Sequence, residues 1–382
     1  MPQISHRLDG FTESVIRRMT RIANECGAVN LSQGFPDFDP PKALTDRLKE
    51  VADQGPHQYA ITWGAPNFLA ALAEKQRRFM GIDIDPMTQM VATCGSTEAM
   101  MAAMMSVCEP GDKVIVFSPF YENYTADTVL CGADPIYVPL VPPTFEFDKA
   151  VLRRAFEQHP KALVLCNPSN PCGKVFTRGE LTVIADLAKE FDTWVITDEV
   201  YEHMVYAPHV HTYMASLPGM FERTISCSSL SKTYSITGWR IGYIIAPASI
   251  MPICRKVHDF LTVGAAAPLQ EAAIAGLKMP QSYYDELLAL YTHKREFFLN
   301  GLTDVGLDFY APQGAYYVLV DVSKFGVKDD VKFCEDLTRQ VGVAAVPGSS
   351  FFREDVHNYI RFHFAKKEDT LAEALRRLQK LK

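Results

Sequence analysis

The sequence predicts an α/β protein in which a mostly parallel sheet, covered by helices on both faces, is followed by a smaller α+β domain. Between residue 89 and about residue 245, short apolar or β-branched runs alternate with helical patterns, which is typical of parallel strands joined by crossover helices. After residue 300, the runs at 314–320, 343–346 and 359–364 alternate like antiparallel strands. A long helical stretch from Pro268 to about Asn300 separates the two regions.

Length, charge and cysteine spacing limit the classes of function. The 382 residues exceed one typical domain, and a net charge of -7 without a cluster of lysines or arginines argues against a nucleic-acid partner. There is no apolar run of about 18 residues for a membrane span, and the amino terminus lacks the apolar core of a secretory signal. The nine cysteines are scattered and never spaced Cys-x-x-Cys, which predicts reduced thiols in a cytoplasm and no disulfides. His209 and His211 lack a carboxylate or thiol at ligand spacing, so we expect a surface loop there and no metal site.

The amino-terminal region combines a helical pattern with two glycine-containing loops. Apolar side chains at 15–23 have helical spacing, and we expect residues 1–30 to join the smaller domain. Prolines near Gly34 predict an irregular turn, which is either a loop that lets a small ligand approach or a plain connector. Tyr59 and Trp63 flank the second loop, where they would line a pocket or pack at a subunit contact.

The first strand of the alternating region leads through Gly95, Ser96 and Thr97 into a helix. Free amides and the positive end of the helix dipole suit a phosphate at such a turn, although serine and threonine are also ordinary N-caps. The second strand exits at Tyr121, whose ring would either stack on a planar ligand or pack in the core.

Two later strands place polar side chains at their carboxyl ends. The apolar run 162–166 leads to a proline-flanked turn that contains Asn170, and the run 193–197 ends at Asp198, with Tyr201 close behind. Ligands of open α/β sheets bind at this edge. A carboxylate there is costly unless it is paired, so we expect a cationic partner for Asp198.

Lys232 lies in a hydroxyl-rich connection between two further apolar runs, 224–227 and 241–246. The fixed cation Arg240 raises the cost of protonating Lys232, and a dry site would lower the lysine pKa as well. A lysine of lowered pKa is a nucleophilic amine that forms an imine with an aldehyde. The alternative is a solvated loop lysine beside a surface arginine.

A single ligand would account for these features together. The Gly95–Thr97 turn suits a phosphate, Lys232 suits an aldehyde, Asn170 and Tyr201 suit a phenolate-like oxygen, and Asp198 suits a ring nitrogen. Pyridoxal 5′-phosphate carries all four groups.

Short motifs occur in a fixed order along nearly the whole chain: NLSQGFPDF at 30–38, NPSNP at 167–171, DEVYE at 198–202, SLSKT at 229–233, GWRIG at 238–242 and YIRF at 359–362. In these motifs the sequence resembles the class I and II aminotransferases of the fold-type I pyridoxal-phosphate enzymes, and most of all the kynurenine, glutamine and methionine aminotransferase branch. The resemblance implies a mostly parallel seven-stranded sheet in a large cofactor-binding domain at 31–275 and a smaller domain at 276–382. It also implies a homodimer with shared active sites.

The resemblance further implies a role for each polar residue at the sheet edge. Lys232 would hold the cofactor as an imine and then move the substrate proton, while Asp198 would keep the ring nitrogen protonated. Asn170 and Tyr201 would hydrogen-bond the ring oxygen, and Tyr121 would stack on the ring. The phosphate would be held by Gly95, Ser96, Thr97, Ser229 and Arg240, with Tyr59 reaching in from a partner subunit.

Substrate recognition is implied in the same way. Arg361 would bind the α-carboxylate through two parallel hydrogen bonds, with Asn170 and the Gly34 amide beside it. Apart from the family pattern, a salt bridge at a strand end is the favoured explanation of Arg361. The candidates for the side-chain pocket are apolar, and no second arginine is placed for an acidic side chain; these candidates are Trp63, Tyr124, Phe351 and Phe352. We therefore expect methionine, glutamine, phenylalanine or kynurenine as donor in preference to aspartate.

Four alternative functions remain open. Two of them belong to the same family, namely a cysteine-S-conjugate β-lyase and an aspartate-type aminotransferase. A nicotinamide dehydrogenase is disfavoured because no Gly-x-Gly-x-x-Gly follows the first strand. A non-catalytic cofactor-binding regulator is disfavoured because no DNA-binding segment or basic patch is apparent.

Overall fold

A computed structural model describes residue 6 and residues 13–382 of the chain. The helices in this part of the chain are α1 (Val15–Cys26), α2 (Lys42–Gln54), α3 (Pro66–Met80), α4 (Ser96–Val107), α5 (Asn123–Leu130), α6 (Lys149–Phe156), α7 (Arg178–Glu190), α8 (Met251–Thr262), α9 (Ala267–Leu277), α10 (Gln281–Val305), α11 (Asp330–Asp336) and α12 (Glu368–Leu378). The strands are β1 (Val29–Asn30), β2 (Met90–Thr93), β3 (Lys113–Ser118), β4 (Asp134–Val141), β5 (Glu146–Phe147), β6 (Ala162–Cys166), β7 (Trp194–Asp198), β8 (Thr224–Ser229), β9 (Gly242–Ile245), β10 (Asp308–Tyr310), β11 (Tyr317–Asp321), β12 (Val343–Ala344), β13 (Val346–Pro347) and β14 (Tyr359–His363).

The main sheet has the strand order β2-β9-β8-β7-β6-β3-β4-β5. Strands β8, β7, β6, β3 and β4 are parallel, whereas β9 is antiparallel to both of its neighbours. The two-residue β5 pairs antiparallel with the outer strand β4. The predicted mostly parallel seven-stranded sheet is therefore confirmed, and β5 extends it at one edge.

A second sheet is antiparallel and has the order β10-β11-β14-β13. The short strand β1 does not join either of these sheets but pairs in parallel with β12, so that Val29 faces Val343. Met19 and Ile22 of α1 pack in one apolar cluster with Val318 and Phe362. The amino-terminal segment thus contacts the carboxyl-terminal part of the chain, and the predicted domain boundaries stay a prediction.

Local sequence explains where several elements begin and end. The strands of the main sheet form from nearly continuous apolar runs because helices cover both faces. Helix α7 begins with a capping box, in which Thr177 Oγ1 accepts from the Glu180 amide at 3.2 Å and Glu180 Oε2 accepts from the Thr177 amide at 2.8 Å. The long helical stretch predicted after Pro268 consists of two separate helices, α9 and α10. Pro280, which immediately precedes α10, has no amide hydrogen with which to continue α9.

The carboxyl ends of β6, β7 and β8 meet at one edge of the main sheet, in the register Cys166 to Asp198 to Cys227. The segments that follow these strands contain Asn170, Tyr201 and Lys232. Within residue 6 and residues 13–382, no helix is both long enough and apolar enough to cross a membrane.

Candidate active site

A cleft of about 1110 Å³ opens at this edge of the main sheet. Most of the residues singled out in the sequence line it, namely Gly34, Ser96, Thr97, Tyr121, Asn170, Asp198, Tyr201, Ser229, Lys232, Arg240 and Arg361. These residues come from seven separate regions of the chain, so the fold brings together side chains that are far apart in sequence.

Lys232 follows β8, and its side chain points across the cleft. Its Nζ donates a weak hydrogen bond to the Gly34 carbonyl at 3.4 Å and lies about 6 Å from the ring centres of Tyr201 and Tyr316. Burial lowers the pKa of the Lys232 amine, repulsion from Arg240 and Arg361 lowers it further, and Tyr317 and Asp198 oppose the change. The direction agrees with the sequence-based expectation, although burial and not Arg240 is the main cause.

Asp198 is the last residue of β7, and only one of its two carboxylate oxygens has a hydrogen-bond partner among the described residues. Oδ2 accepts a hydrogen bond from Tyr124 Oη at 2.8 Å, while the buried Oδ1 has no hydrogen-bond partner among the described residues. Burial raises the pKa of this carboxyl above its usual range. The expected cationic partner for Asp198 is not found, since no described lysine, arginine or histidine forms an ion pair with it. An N–H donor from a ligand would satisfy Oδ1 and favour the charged carboxylate.

Arg361, on β14, is fully buried without a carboxylate partner in the described part of the chain. Nη1 donates to Asn170 Oδ1 at 2.7 Å and Nη2 donates to the Ser32 carbonyl at 2.9 Å, whereas Nε has no partner. The guanidinium lies over the rings of Tyr317 and Phe351, at 4.2 and 4.5 Å from their centres. The strand-end salt bridge is therefore wrong as an explanation of Arg361. A buried cation of this kind favours an anionic ligand.

The start of α4 faces Arg240 and two serines. Gly95 has φ +85° and precedes α4, and a Cβ built on it would lie 2.3 Å from Arg240 Nη2, so only glycine allows this approach. Ser229 Oγ accepts from the Ser231 amide at 3.3 Å. The buried Ser231 hydroxyl lines the cleft and has no hydrogen-bond partner among the described residues. Helix amides, hydroxyls and a guanidinium together form a site suited to a phosphate.

The structure adds contacts and residues to the site that the sequence did not indicate. Tyr124, a candidate for the side-chain pocket, lines the cleft, and its hydroxyl also donates to Asp198. Tyr317 Oη lies 3.0 Å from Tyr201 Oη, and Tyr316 Oη donates to the Gly34 carbonyl at 2.9 Å. Ser231 was indicated only by its place one residue before Lys232, among other hydroxyls.

Other predicted residues lie elsewhere. Trp63 packs against the Arg255 guanidinium at 5.1 Å, and the buried Phe352 ring packs against Tyr359 at 5.7 Å. Neither lines the cleft, so their assignment to the substrate pocket is corrected. Tyr59 is 88% exposed and lies outside the cleft of its own chain. The expectation that no second arginine is near is also corrected, because Arg17 of α1 lines the cleft.

The cleft residues fit pyridoxal phosphate in four separate features. Asp198 Oδ1 lacks a donor, Ser231 Oγ lacks a partner, Arg240 is held against the start of α4, and the Lys232 amine has a lowered pKa. Asp198 matches the ring nitrogen, Ser231 and Arg240 match the phosphate, and Lys232 matches the aldehyde of this cofactor.

Comparison with known proteins gives an independent assignment. Residues 27–378 match the family model described as aminotransferase class I and II. The chain is 37% identical to a probable N-succinyldiaminopimelate aminotransferase of Mycobacterium tuberculosis over 98% of both chains, and 36% identical to the methionine aminotransferase of Escherichia coli over 98% of this chain and 97% of the other. It is 34% identical to the human kynurenine–oxoglutarate transaminase 1 over 99% and 98%. The solved N-succinyldiaminopimelate aminotransferase from M. tuberculosis superimposes with a TM-score of 0.96, covering all of both chains at 37% identity. The chain therefore belongs to the class I and II aminotransferases, and it is a pyridoxal-phosphate-dependent transaminase of fold type I.

Proposed function

We propose that this aminotransferase takes its amino group from large neutral or aromatic L-amino acids, such as methionine, glutamine, phenylalanine or kynurenine, and transfers it to a 2-oxo acid. The observation that carries the proposal is the buried Arg361, which has no carboxylate partner among the described residues, in a cleft that also presents the apolar side chains of Ile16, Phe35 and Val200. Relatives named for methionine and for kynurenine support the same class of donor.

The geometry of the cleft supports the proposed roles. When bound, pyridoxal phosphate supplies an aldehyde for the amino group and a ring that accepts electrons. Asp198 Oδ1 accepts the hydrogen bond of the ring nitrogen and holds its proton there. Asn170 and Tyr201 donate to the ring oxygen, and Tyr121 packs on the ring. The phosphate is bound by the start of α4 with Ser229, Ser231 and Arg240.

Lys232 carries the proton transfer in this proposal. Burial and the two arginines lower the pKa of this amine, which favours the uncharged form in which Nζ takes the proton from the substrate Cα. Arg361 binds the substrate α-carboxylate with Nε and a free hydrogen of Nη1 or Nη2, and the Gly34 amide lies beside it. This grip orients the Cα–H bond toward Lys232.

Donor choice would be broad. An apolar lining gains about 1 kcal/mol for each buried methylene and therefore separates large neutral side chains poorly. A donor panel with one fixed 2-oxo acid tests the proposal through kcat/KM. Methionine, glutamine, phenylalanine and kynurenine should all exceed aspartate, and a clear preference for aspartate would refute it.

Arg17 favours a second candidate function, the transfer of amino groups from donors with an acidic side chain. Arg17 lies between Ser14, which precedes α1, and Thr20 of α1. Ser14 Oγ donates to Glu122, Thr20 Oγ1 donates to Gln33, and both acceptor residues line the cleft. Arg17 forms no hydrogen bond or ion pair with any other described residue, whereas Arg18 and Arg21 of the same helix are both paired. Arg17→Met should then lower kcat/KM for dicarboxylic donors alone. Arg21→Met is the matched control on the same helix.

We also propose a homodimer in which Tyr59 reaches the partner's cofactor. Tyr59 and Phe260 are 88% and 90% exposed, and Leu261, beside Phe260, lines the cleft. Large exposed apolar side chains at the rim of a cleft are typical of a subunit contact. Sedimentation should give a dimer, and a fully active monomer would contradict this part of the proposal.

A further inference from the structure

A buried polar network lies behind the turn that follows β7. The Glu202 carboxylate accepts hydrogen bonds from Lys75 Nζ at 2.5 Å and from Tyr213 Oη at 2.7 Å. Gln76 Nε2 and Tyr243 Oη approach the same carboxylate, each at 3.4 Å. The side chains of Lys75 and Glu202 are only 1% and 2% exposed, so solvent does not screen their attraction. None of these five residues lines the cleft.

The pKa values of the two glutamates of this turn are shifted in opposite directions. Burial by itself raises the pKa of the Glu202 carboxyl, but Lys75 and His203 outweigh it and hold that pKa well below its usual range. Burial, together with repulsion from Glu202, raises the pKa of Glu199 well above its usual range. The charged form is therefore favoured more at Glu202 than at Glu199, because Glu202 is the glutamate in direct contact with Lys75.

The turn separates its aspartate and tyrosine from its two glutamates. Asp198 and Tyr201 line the cleft, whereas Glu199 and Glu202 do not. The Glu202 amide donates to the Glu199 carbonyl at 3.0 Å, and the amide of Met204 donates to the Tyr201 carbonyl at 2.8 Å. Because the backbone is this tightly closed, any shift of Glu202 also shifts the adjacent Tyr201.

The same carboxylate also contacts the strand pair that leads to Lys232. Tyr243, on β9, faces Ser228 of β8, and Lys232 follows β8. Lys75, which also binds this carboxylate, lies on a third element, helix α3. Glu202 is thus the common contact of α3, of β9 and of the turn after β7.

We propose that the buried Lys75–Glu202 ion pair is a positioning device that holds Asp198 and Tyr201 in register with Lys232. The inference rests on the cofactor contacts proposed above for Asp198 and Tyr201. Neither Lys75 nor Glu202 touches the cofactor or the substrate, so both act through the turn. Removal of the pair releases the Tyr201 hydroxyl from its position while the residues of the cleft remain present.

The test compares Lys75→Met, Glu202→Gln and the double variant Lys75→Met/Glu202→Gln. In the cofactor-loaded enzyme, the pH midpoint of the cofactor absorbance change should rise by about one unit, as expected for the loss of one hydrogen bond to a charged group. The melting temperature of the cofactor-free protein is measured in parallel. The double variant leaves no unpaired buried charge, so it should regain much of the melting temperature that Lys75→Met loses but keep the shifted midpoint.

Two controls separate positioning from general destabilisation. Leu152, a fully buried residue of α6, belongs to a core cluster that does not include the turn. Leu152→Ala should therefore lower stability and leave the midpoint unchanged. Tyr201→Phe removes the hydroxyl itself and sets the size of the shift. Wild-type midpoints in all three ion-pair variants, or in the double variant if the single ones fail to fold, would overturn the positioning role. An unshifted midpoint in Tyr201→Phe would instead refute the proposed contact of Tyr201.

Discussion

Replacement of Arg361 by lysine keeps the charge but removes the planar group that grips the substrate carboxylate. In the structure, separate guanidinium nitrogens bind Asn170 at 2.7 Å and Ser32 at 2.9 Å, which fixes the plane and leaves Nε free for a ligand. A lysine has one nitrogen for all of these partners and must lose at least one hydrogen bond to a charged group. Such a bond contributes about 1.5–3 kcal/mol, so kcat/KM should fall by about 10- to 150-fold.

The assay is steady-state transamination with methionine and phenylalanine, together with the absorbance spectrum of the bound cofactor. The spectrum should not change, because Arg361 binds the substrate and not the cofactor. Arg153→Lys is a matched control, since Arg153 makes the same two-bond contact with Glu190 at the surface, at 2.8 Å for each bond. If Arg361→Lys retained kcat/KM within about threefold of wild type for both donors, the carboxylate role of Arg361 would be refuted.

Three further predictions concern groups in or beside the cleft. Asp198→Asn cannot hold a proton on the ring nitrogen by charge, so single-turnover rates should fall by about 100-fold or more while the protein still folds; an unchanged rate would exclude this role. Burial and repulsion from Asp198 raise the pKa of Asp127 to about 7, so the folded state binds this proton more tightly than the unfolded state does, and stability is lost as pH rises from about 4 through 7. Asp127→Asn should therefore raise the melting temperature at pH 8 and change it little at pH 4, and equal shifts at both pH values would contradict that sign. Gly34→Ala would place a Cβ 2.2 Å from Tyr317 Oη, so it should raise the KM for amino acids with little change in cofactor affinity, as measured by titration of the cofactor-free protein.

The residues that the sequence located correctly are those at strand ends. Asp198 and Lys232 could be placed because apolar runs mark the buried strands, and the carboxyl ends of parallel strands share one edge. The seven-stranded sheet followed from the family motifs, because periodicity alone did not separate β4 from its surroundings. Half of the residues of β4 are only partly buried, and buried and exposed side chains do not alternate regularly along the strand.

Contacts between distant segments could not be read from the sequence in the same way. Nothing local distinguishes Tyr124, which binds Asp198, from Trp63, which packs on Arg255 away from the cleft. Both are aromatic residues near loops, and only the three-dimensional path of the chain decides which of them reaches the ligand. Arg17 is equally hidden, because its neighbours Arg18 and Arg21 have the same chemistry but are already paired.

The parallel pairing of β1 with β12 has a consequence for how the protein matures. Ser32 and Arg361, which meet through a hydrogen bond at the carboxylate grip, are 329 residues apart in the chain. A ribosome-bound chain that still lacks β12 and β14 can fold much of the main sheet, yet its strand β1 has no β12 on which to dock and its Ser32 has no Arg361 to bind. Such long-range closure slows folding, so the competence to bind an amino acid should arise only after β14 has been synthesised.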